Sequence, residues 1–338
     1  MIFVTGGTGL LGTHLLYQLT KEGQSVKALK RLGSDTSAVA EIFKFYGDHS
    51  HEQYRRIQWV TGDVLDYYSL TDALEGVDTI YHTAAMVSFH SPRHRDMWNI
   101  NVEGTKNMLD AALEKKVGVF CHVSSIATLG NSANGLPITE EDLWQADDRH
   151  SAYSRSKFRA EMEVWRASKE GLNTVIVNPS VIIGPGAKNS STSKIIKLAN
   201  SGLPFYTNGK TGYVDAMDVA RATMALVANK VYGERFILSA ENKSAREMLG
   251  LMAGQLKVKT PTIEAGGWML WLGMMTNRLF AVMTGREPVL TRESIKSTMG
   301  QSLYSSEKII QQLDWSFTPI HESVGNAIAF YQQQKRQV

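Results

Sequence analysis

Length, composition and charge restrict this chain to a folded protein of one large domain or two merged ones. Its 338 residues are 43% hydrophobic and 20% charged, proportions that are typical of globular rather than disordered proteins. The net charge of +3 arises from 36 basic and 33 acidic residues that are well mixed, which favours neither a nucleic-acid groove nor a polybasic membrane patch. Cys121 is the only cysteine, so an intramolecular disulfide and a thiolate metal cluster are excluded.

Two segments bear on the cellular location. Residues 1–4 already have the pattern of a strand, which leaves no room for a charged region and an apolar signal core. The apolar stretch 265–275 has about half of the roughly 20 residues that span a bilayer. We therefore expect a cytoplasmic protein without a transmembrane helix.

Short β-branched runs alternate with helical patterns in the first half, which is typical of βαβ units and a parallel sheet. Strands are predicted at 2–5, 25–29, 57–62, 79–83, 118–124 and 173–178, and helices at 10–22, 69–74, 95–116 and 152–170. Later helices are predicted near 191–201, 215–229, 244–256, 291–297 and 320–334. The sequence predicts an α/β fold: a Rossmann-type doubly wound parallel sheet over 1–180, and a smaller C-terminal substrate lobe mainly over 181–338, with some chain returning to the sheet.

A glycine-rich turn joins the first predicted strand to the first predicted helix. It comprises Thr5, Gly6, Gly7, Thr8, Gly9, Leu10, Leu11 and Gly12. Glycines permit a tight turn and a close approach of the backbone to a pyrophosphate, and the helix N-terminus offers N–H groups to the phosphates. An ordinary glycine turn is the alternative, but the position at the start of a βαβ unit favours dinucleotide binding.

The ends of the second and third predicted strands bear on the choice of dinucleotide. Lys30 and Arg31 stand where an NAD-selective protein usually has Asp or Glu. Because cations suit a 2′-phosphate, NADP(H) is the predicted cofactor, and NAD(H) is the alternative if the two side chains are merely solvated. Asp63 can accept a hydrogen bond from the adenine amino group, although an aspartate is also common in a plain turn.

Tyr153 and Lys157 lie four residues apart, on one face of a predicted helix. A phenol of pKa about 10 exchanges protons poorly at neutral pH unless a nearby cation favours its ionised form, and Lys157 would supply that charge. Ser124 and Ser125 end the fifth predicted strand, where a hydroxyl can stabilise a developing oxyanion. Ser125 is the preferred candidate, and helix capping is the alternative for the pair.

Taken together, these residues resemble the extended short-chain dehydrogenase/reductase family over essentially the whole chain. The matching motifs are the glycine loop at 5–12, Asp63 and Val64, the motif 82–85 that includes Thr83, Ala84 and Ala85, the helix motif at Asn101, the triad Ser125, Tyr153 and Lys157, and the loop through Pro179, Ser180 and Val181. The resemblance implies that these motifs and Ser124 surround the cofactor. It also implies that Lys157 holds the nicotinamide ribose and that Asn101 shapes the site.

Residues 26–31 are similar to the V-x-A-x-x-R motif of dihydroflavonol reductases and 3β-hydroxysteroid dehydrogenases, whose arginine meets the NADP 2′-phosphate. Residues 284–288 and 304–305 also resemble the C-terminal lobe of that branch. The resemblance implies an NADP-dependent reductase or dehydrogenase acting on C=O or CH–OH groups of a small, apolar or aromatic substrate.

Two alternatives to this function stay open. Nucleotide-sugar epimerases and dehydratases usually carry Arg-Asp-aromatic-Val/Ile-His where this chain has residues 211–215, which begin Thr-Gly and disfavour but do not exclude that chemistry. The other alternative is a non-catalytic dinucleotide sensor, which would not need Ser125, Tyr153 and Lys157.

The segment 268–283 is rich in tryptophan, methionine and leucine and predicts a lid over an apolar substrate. Core of the small lobe and docking on a membrane surface are its alternatives. The histidines show no metal-ligand spacing, so no metal is expected. The family resemblance also implies pairing of the helices at 95–116 and 152–170 in a homodimer.

Overall fold

The computed structural model describes residues 1–88, 90–132, 135–145, 150–284 and 291–336, and for residues 278–284, 292, 294 and 297 it describes the backbone alone. The strands are β1 (Ile2–Thr5), β2 (Val26–Lys30), β3 (Ile57–Thr61), β4 (Thr79–His82), β5 (Val119–Val123), β6 (Asn173–Pro179), β7 (Val181–Ile183), β8 (Phe205–Tyr206), β9 (Lys210–Asp215), β10 (Glu234–Leu238), β11 (Glu241–Ser244) and β12 (Ile263–Glu264). The α-helices are α1 (Leu10–Lys21), α2 (Ser37–Phe45), α3 (Tyr67–Ala73), α4 (His94–Trp98), α5 (Gly104–Glu114), α6 (Ala152–Lys169), α7 (Ser191–Asn200), α8 (Ala216–Ala228), α9 (Ala245–Leu256), α10 (Gly267–Thr284), α11 (Arg292–Met299), α12 (Glu307–Leu313) and α13 (Ile320–Arg336).

Seven parallel strands form the central sheet in the order β10-β6-β5-β4-β1-β2-β3. Its strands are runs of apolar residues because helices cover both faces, and Phe3 and Val4 of β1 are fully buried. The strand order reverses between β1 and β4, and ligands of open α/β sheets bind outside the carboxyl ends of the strands at such a point. The predicted doubly wound parallel sheet is confirmed.

Two apolar layers cover the sheet. One contains Leu16 of α1, Phe43 of α2 and Val219 of α8, and the other contains Leu109 of α5 and Val164 of α6. After residue 215 the chain returns to the central sheet. α8 packs on α1, and β10 adds to the edge of the sheet beside β6.

A three-stranded sheet, β11-β9-β7, and a two-stranded ribbon, β12-β8, lie in the region predicted as the substrate lobe, which we call the second lobe. Its core contains Ile196 of α7, Met248 and Met252 of α9, and Val324 of α13. A cavity of about 550 Å³ separates α10 from α11. It is lined by Gly267, Leu270, Trp271, Met274, Ile295, Lys296, Met299 and Gly300. Among the helices described, none is both long and apolar enough to cross a membrane.

The single helix predicted over 95–116 is interrupted. It consists of α4, a π-helical segment at Asn99–Glu103 and α5. The wider turn contains Asn101, which is buried and uses its side chain for tertiary hydrogen bonds. Such single turns often occur at functional sites.

Candidate active site

The glycine loop packs closely against the segment that follows β4. Gly6 has φ +70°, and a Cβ there would lie 2.7 Å from the backbone nitrogen of Ala84. A Cβ on Gly12 would overlap the carbonyl of Gly6, so glycine is required where α1 crosses the loop. The Thr13 hydroxyl donates to the carbonyl of Gly9 at 2.8 Å. These contacts hold the N-terminus of α1, with the N–H groups of its first turn, beside the cleft.

A cleft of about 650 Å³ lies among the glycine loop, the end of β2 and the segment after β4. The predicted cofactor residues that line it are Gly6, Thr8, Gly9, Lys30, Arg31, Asp63, Val64, Thr83, Ala84 and Ala85. Lining residues that the sequence interpretation missed are Leu29, Ser34, Gly62, Leu65, Met86, Val87, Arg93, Asp96, Asn99 and Ile100. Gly62 and Leu65 are the sequence neighbours of the predicted pair Asp63 and Val64, so they could have been included. Residues 93–100 contain no motif that would have identified them as part of the cleft.

Twelve other predicted cofactor residues do not line this cleft. These are Thr5, Gly7, Leu10, Leu11, Gly12, Asn101, Ser124, Tyr153, Lys157, Pro179, Ser180 and Val181. Thr5 is fully buried, and its hydroxyl oxygen lies 2.9 Å from Nδ1 of His82 and accepts a hydrogen bond from the backbone of Ala84 at 3.2 Å. The side chain of Leu11 packs in the core.

Lys30 and Arg31 stand together at one end of the cleft, at the carboxyl end of β2. Lys30 is half-buried and Arg31 is exposed. A turn in which the Ser34 N–H donates to the Arg31 carbonyl at 3.0 Å brings Ser34 to the same wall. Asp63 Oδ1 accepts from the backbone of Leu65 at 3.0 Å, so this side chain also shapes its own turn.

Ser125, Tyr153 and Lys157 come together beside the carboxyl ends of β4 and β5. Ser151 caps α6 by accepting from the backbone of Ser154 at 3.1 Å, which starts the helix just before Tyr153. The side chains of Ser125 and Tyr153 share a hydrogen bond. One helical turn further, Lys157 is 2% exposed, and its Nζ donates to the carbonyl of Val123 at 2.7 Å.

Burial dominates the electrostatics of this cluster. It lowers the pKa of Lys157 to about 8, and the Glu161 carboxylate opposes that shift. Burial raises the pKa of Tyr153, and the hydrogen bond from Ser125 opposes it. At neutral pH both side chains therefore carry their protons, which suits a phenol that donates to a substrate oxygen.

Glu161 joins several strands to α6 and was not found from the sequence, although it lies one turn after Lys157. It is fully buried, and its Oε2 accepts from the hydroxyls of Ser124 at 2.5 Å and Thr128 at 2.8 Å and from the amide of Asn178 at 3.0 Å. Arg235 of β10 forms an ion pair with Oε1 at 3.3 Å. The Ser124 side chain therefore points to Glu161, whereas the adjacent Ser125 reaches Tyr153.

Asn101 connects the wall of the cleft to the catalytic helix. Its amide accepts from the backbone N–H of Met86 at 2.7 Å and donates to the Met86 carbonyl at 3.0 Å and to the Ser156 hydroxyl at 2.9 Å. Ser156 in turn donates to the carbonyl of Tyr153 at 2.8 Å. These bonds join the segment after β4 to α6.

Three buried histidines predict a loss of stability in acid. Burial lowers the pKa of His14 from 6.5 to about 4 and of His82 to about 3, and it lowers the pKa of His122 well below 6.5. Below pH 6.5 the unfolded chain binds protons that the folded chain does not, so the free energy of unfolding falls as the pH drops toward 4. His14 alone contributes a loss of about 3 kcal/mol. Melting temperatures between pH 7 and pH 4 measure this effect.

His122 provides the variant for that measurement. Neither of its ring nitrogens has a hydrogen-bond partner among the described residues, and it stacks on His82 with centroids 5.6 Å apart. We expect His122→Phe to flatten the acid decline, whereas His49→Gln, at an exposed position, leaves it unchanged. An identical pH dependence of the melting temperature in wild type and His122→Phe would show that His122 does not contribute to the loss of stability in acid.

Comparison with known proteins identifies the family. The model of the NAD dependent epimerase/dehydratase family matches residues 2–238. A candidate dihydroflavonol 4-reductase of Synechocystis sp. is 28% identical over 98% of this chain and 94% of its own. Cinnamoyl-CoA reductase 1 of Oryza sativa subsp. japonica is 25% identical over 99% of this chain and 91% of its own. These relatives are consistent with the reductase branch that the sequence resembles.

Solved structures share the architecture. The crystal structure of gox2253 has a TM-score of 0.82 and 29% identity, and 99% of each chain is covered. DesIV, a dTDP-glucose 4,6-dehydratase from Streptomyces venezuelae solved with NAD bound, has a TM-score of 0.76 at 19% identity, with 100% of this chain and 98% of DesIV covered. The likeness to DesIV shows the fold alone. On the family match and the shared fold, this chain belongs to the NAD-dependent epimerase/dehydratase family.

Proposed function

We propose that the chain is an NADP-dependent reductase that acts on a carbonyl group of a small, apolar or aromatic compound. The proposal depends on the hydrogen bond between Ser125 and Tyr153. Lys157 lies one helical turn after Tyr153 and is buried beside the carboxyl ends of β4 and β5. A non-catalytic sensor would have no use for this arrangement. The reductases among the relatives support the same reaction class.

The residues around the cleft fit a nicotinamide dinucleotide. The glycine loop and the N-terminus of α1 would hold the pyrophosphate, Asp63 and Val64 the adenine, and Lys30 and Arg31 a 2′-phosphate. When bound, the nicotinamide supplies the hydride in reduction and accepts it in oxidation. The fit rests on the glycine loop, whose backbone at Gly6 and Gly9 lines the cleft, and a Cβ at Gly6 would force the loop away from the segment after β4.

The protein supplies the proton and the charge stabilisation. Ser125 and Tyr153 would both hydrogen-bond the substrate oxygen, and the Tyr153 hydroxyl would give its proton as negative charge develops there. The Lys157 ammonium would stabilise the phenolate that remains. Glu161 helps to keep Lys157 protonated despite burial.

Packing at β9 disfavours the nucleotide-sugar alternative. Gly212 occupies the place of the aspartate in the Arg-Asp motif usual in those enzymes, and a Cβ at Gly212 would overlap the Ser239 hydroxyl and approach Cβ of Ser180 to 2.9 Å. Thr211 replaces the arginine. The chain therefore lacks the two charged side chains of that motif.

Substrate class is tested by following NADPH absorbance and by competition binding. We expect aromatic or steroid-like ketones to be reduced with net consumption of NADPH, and UDP- or GDP-sugars not to compete at micromolar concentrations. Tight binding of a sugar nucleotide, with no net oxidation of NADPH, would favour a nucleotide-sugar epimerase or dehydratase instead.

Arg31→Ala tests the choice of cofactor. A 2′-phosphate beside Lys30 and Arg31 gains charge-assisted hydrogen bonds of roughly 1.5–3 kcal/mol each, so wild type is expected to bind NADP(H) at least about tenfold more tightly than NAD(H). Arg31→Ala should remove most of that preference and change NAD(H) affinity little. Arg55→Ala, at an exposed cation outside the cleft, is the matched control. Equal affinities of wild type for the two cofactors would contradict the assignment of these cations.

Assembly and location complete the proposal. From the family resemblance we expect a homodimer through the helices predicted at 95–116 and 152–170, which correspond to α4, the π-helical turn and α5, and to α6. Sedimentation velocity tests the dimer. A reducing, cytoplasmic location is expected because the single cysteine, Cys121, leaves no intramolecular disulfide to form.

A further inference from the structure

The second lobe carries an apolar stripe that the proposed reaction does not use. On α10, Trp268, Leu272 and Met275 are 72%, 50% and 38% exposed. Their spacing of four and three residues places them on one face of the helix. A neighbouring face, with Leu270 and Met274, lines the cavity against α11. The stripe therefore points to solvent and is separate from that cavity.

Further exposed apolar side chains lie on the ribbon that precedes α10 in the chain. Ile263 of β12 pairs with Phe205 of β8, and both side chains are exposed. Leu203 and Leu198, just before β8, are exposed as well. We call these residues together the apolar ridge: Leu198, Leu203, Phe205, Ile263, Trp268, Leu272 and Met275. Exposed large apolar side chains that lie on one face of a helix, rather than singly, often mark interaction sites.

The charges around the apolar ridge are mainly positive, although the whole chain is nearly balanced. Residues 181–213 contain four lysines and no acidic residue. Lys194 and Lys197 precede Leu198 on α7, and Lys257 and Lys259 precede β12; all four lysines are exposed. Glu264 is the single acidic residue in 257–284. From Ala265 to Asn277 no residue is charged.

We propose that the apolar ridge docks this chain on the surface of an anionic lipid bilayer, with α10 lying in the plane of the interface. Tryptophan prefers the headgroup region, and lysines beside an apolar helix face gain attraction from anionic lipids. Since none of the described helices can cross a bilayer, the helix lies on the membrane. A second copy docked by twofold symmetry on the same face would bring like-charged lysines together, which disfavours a dimer there.

Vesicle flotation and quenching of tryptophan fluorescence by brominated lipids test the proposal on the full chain. We expect binding to vesicles of phosphatidylcholine mixed with phosphatidylglycerol, and weaker binding in high salt or to phosphatidylcholine alone. Trp268→Ser with Leu272→Ser should weaken partitioning at least about tenfold. Lys194→Gln with Lys197→Gln should weaken it roughly fivefold for each lysine.

Controls separate docking from folding and from catalysis. Tyr68→Ser removes an exposed aromatic side chain of α3 in the other lobe and should leave vesicle binding unchanged. Without vesicles, Trp268→Ser with Leu272→Ser should keep the wild-type melting temperature and cofactor affinity, because neither side chain lines the cleft. The proposal is independent of the proposed reaction.

Two results would overturn the proposal. One is the absence of binding to the phosphatidylglycerol vesicles at low salt. The other is concentration-dependent self-association in sedimentation that Trp268→Ser with Leu272→Ser abolishes, with no vesicle binding by wild type. That result would make the apolar ridge an interface between copies of this chain.

Discussion

The Tyr153→Phe enzyme is expected to lose about 10²–10⁴-fold in turnover while its affinity for the nicotinamide dinucleotide stays close to that of wild type. The substitution removes the hydroxyl that shares a hydrogen bond with Ser125 and keeps the aromatic ring. Because the ring remains, folding should be little affected. Single-turnover rates and fluorescence titration of NADPH separate the effect on chemistry from the effect on binding.

Tyr68→Phe is a matched control, because it removes the hydroxyl of a tyrosine that is 80% exposed on α3, away from the cluster. Its turnover should equal that of wild type. More than about a tenth of the wild-type rate in Tyr153→Phe would mean that another group delivers the proton, since a positioned acid is worth more than that.

Lys157→Met is expected to reduce both turnover and cofactor affinity, because the ammonium is assigned to the phenol and to the nicotinamide ribose. The change leaves a side chain of similar length in a buried position.

The pH dependence of the wild-type enzyme tests the role of Lys157 as well. Its pKa of about 8 predicts that kcat/KM of the free enzyme falls as the pH rises through 8, where Lys157 loses its proton.

Glu161→Gln tests whether the carboxylate maintains the charge of Lys157. Removing its negative charge should lower the pKa of Lys157 and move the alkaline fall of kcat/KM to lower pH. Arg235 loses its ion-pair partner, so the melting temperature must be measured in parallel. A lower rate with an unshifted pH profile would assign Glu161 a purely structural role.

Most of the sheet was predictable because its strands are short apolar runs that alternate with helical patterns. β1 was predicted with its observed bounds, and β6 extends one residue further than predicted, to Pro179. β10 was not assigned as a strand of the central sheet, because Glu234–Leu238 is a single short run within a less regular region. Its place beside β6 depends on a long-range pairing that a local pattern does not contain.

Neighbouring residues in the site were harder to tell apart. Ser124 and Ser125 look equivalent in the sequence, but their side chains reach different partners, Glu161 and Tyr153, because the backbone is still extended after β5 and successive side chains of extended chain point in opposite directions. The π-helical turn around Asn101 was likewise predicted as plain helix, since its hydrogen bonds join it to Met86 and Ser156 in other segments. Residues 285–290, which include most of the motif predicted at 284–288, lie outside the described residues.

The most direct measurement of the central claim uses NADPH deuterated at both C4 positions and follows deuterium into the product of a reduced aromatic ketone. We predict one deuterium on the carbinol carbon of the product for each NADPH oxidised, and loss of this transfer in Tyr153→Phe at unchanged NADPH affinity. Conversion of a substrate without net NADPH oxidation, with the deuterium retained in the cofactor, would contradict the account.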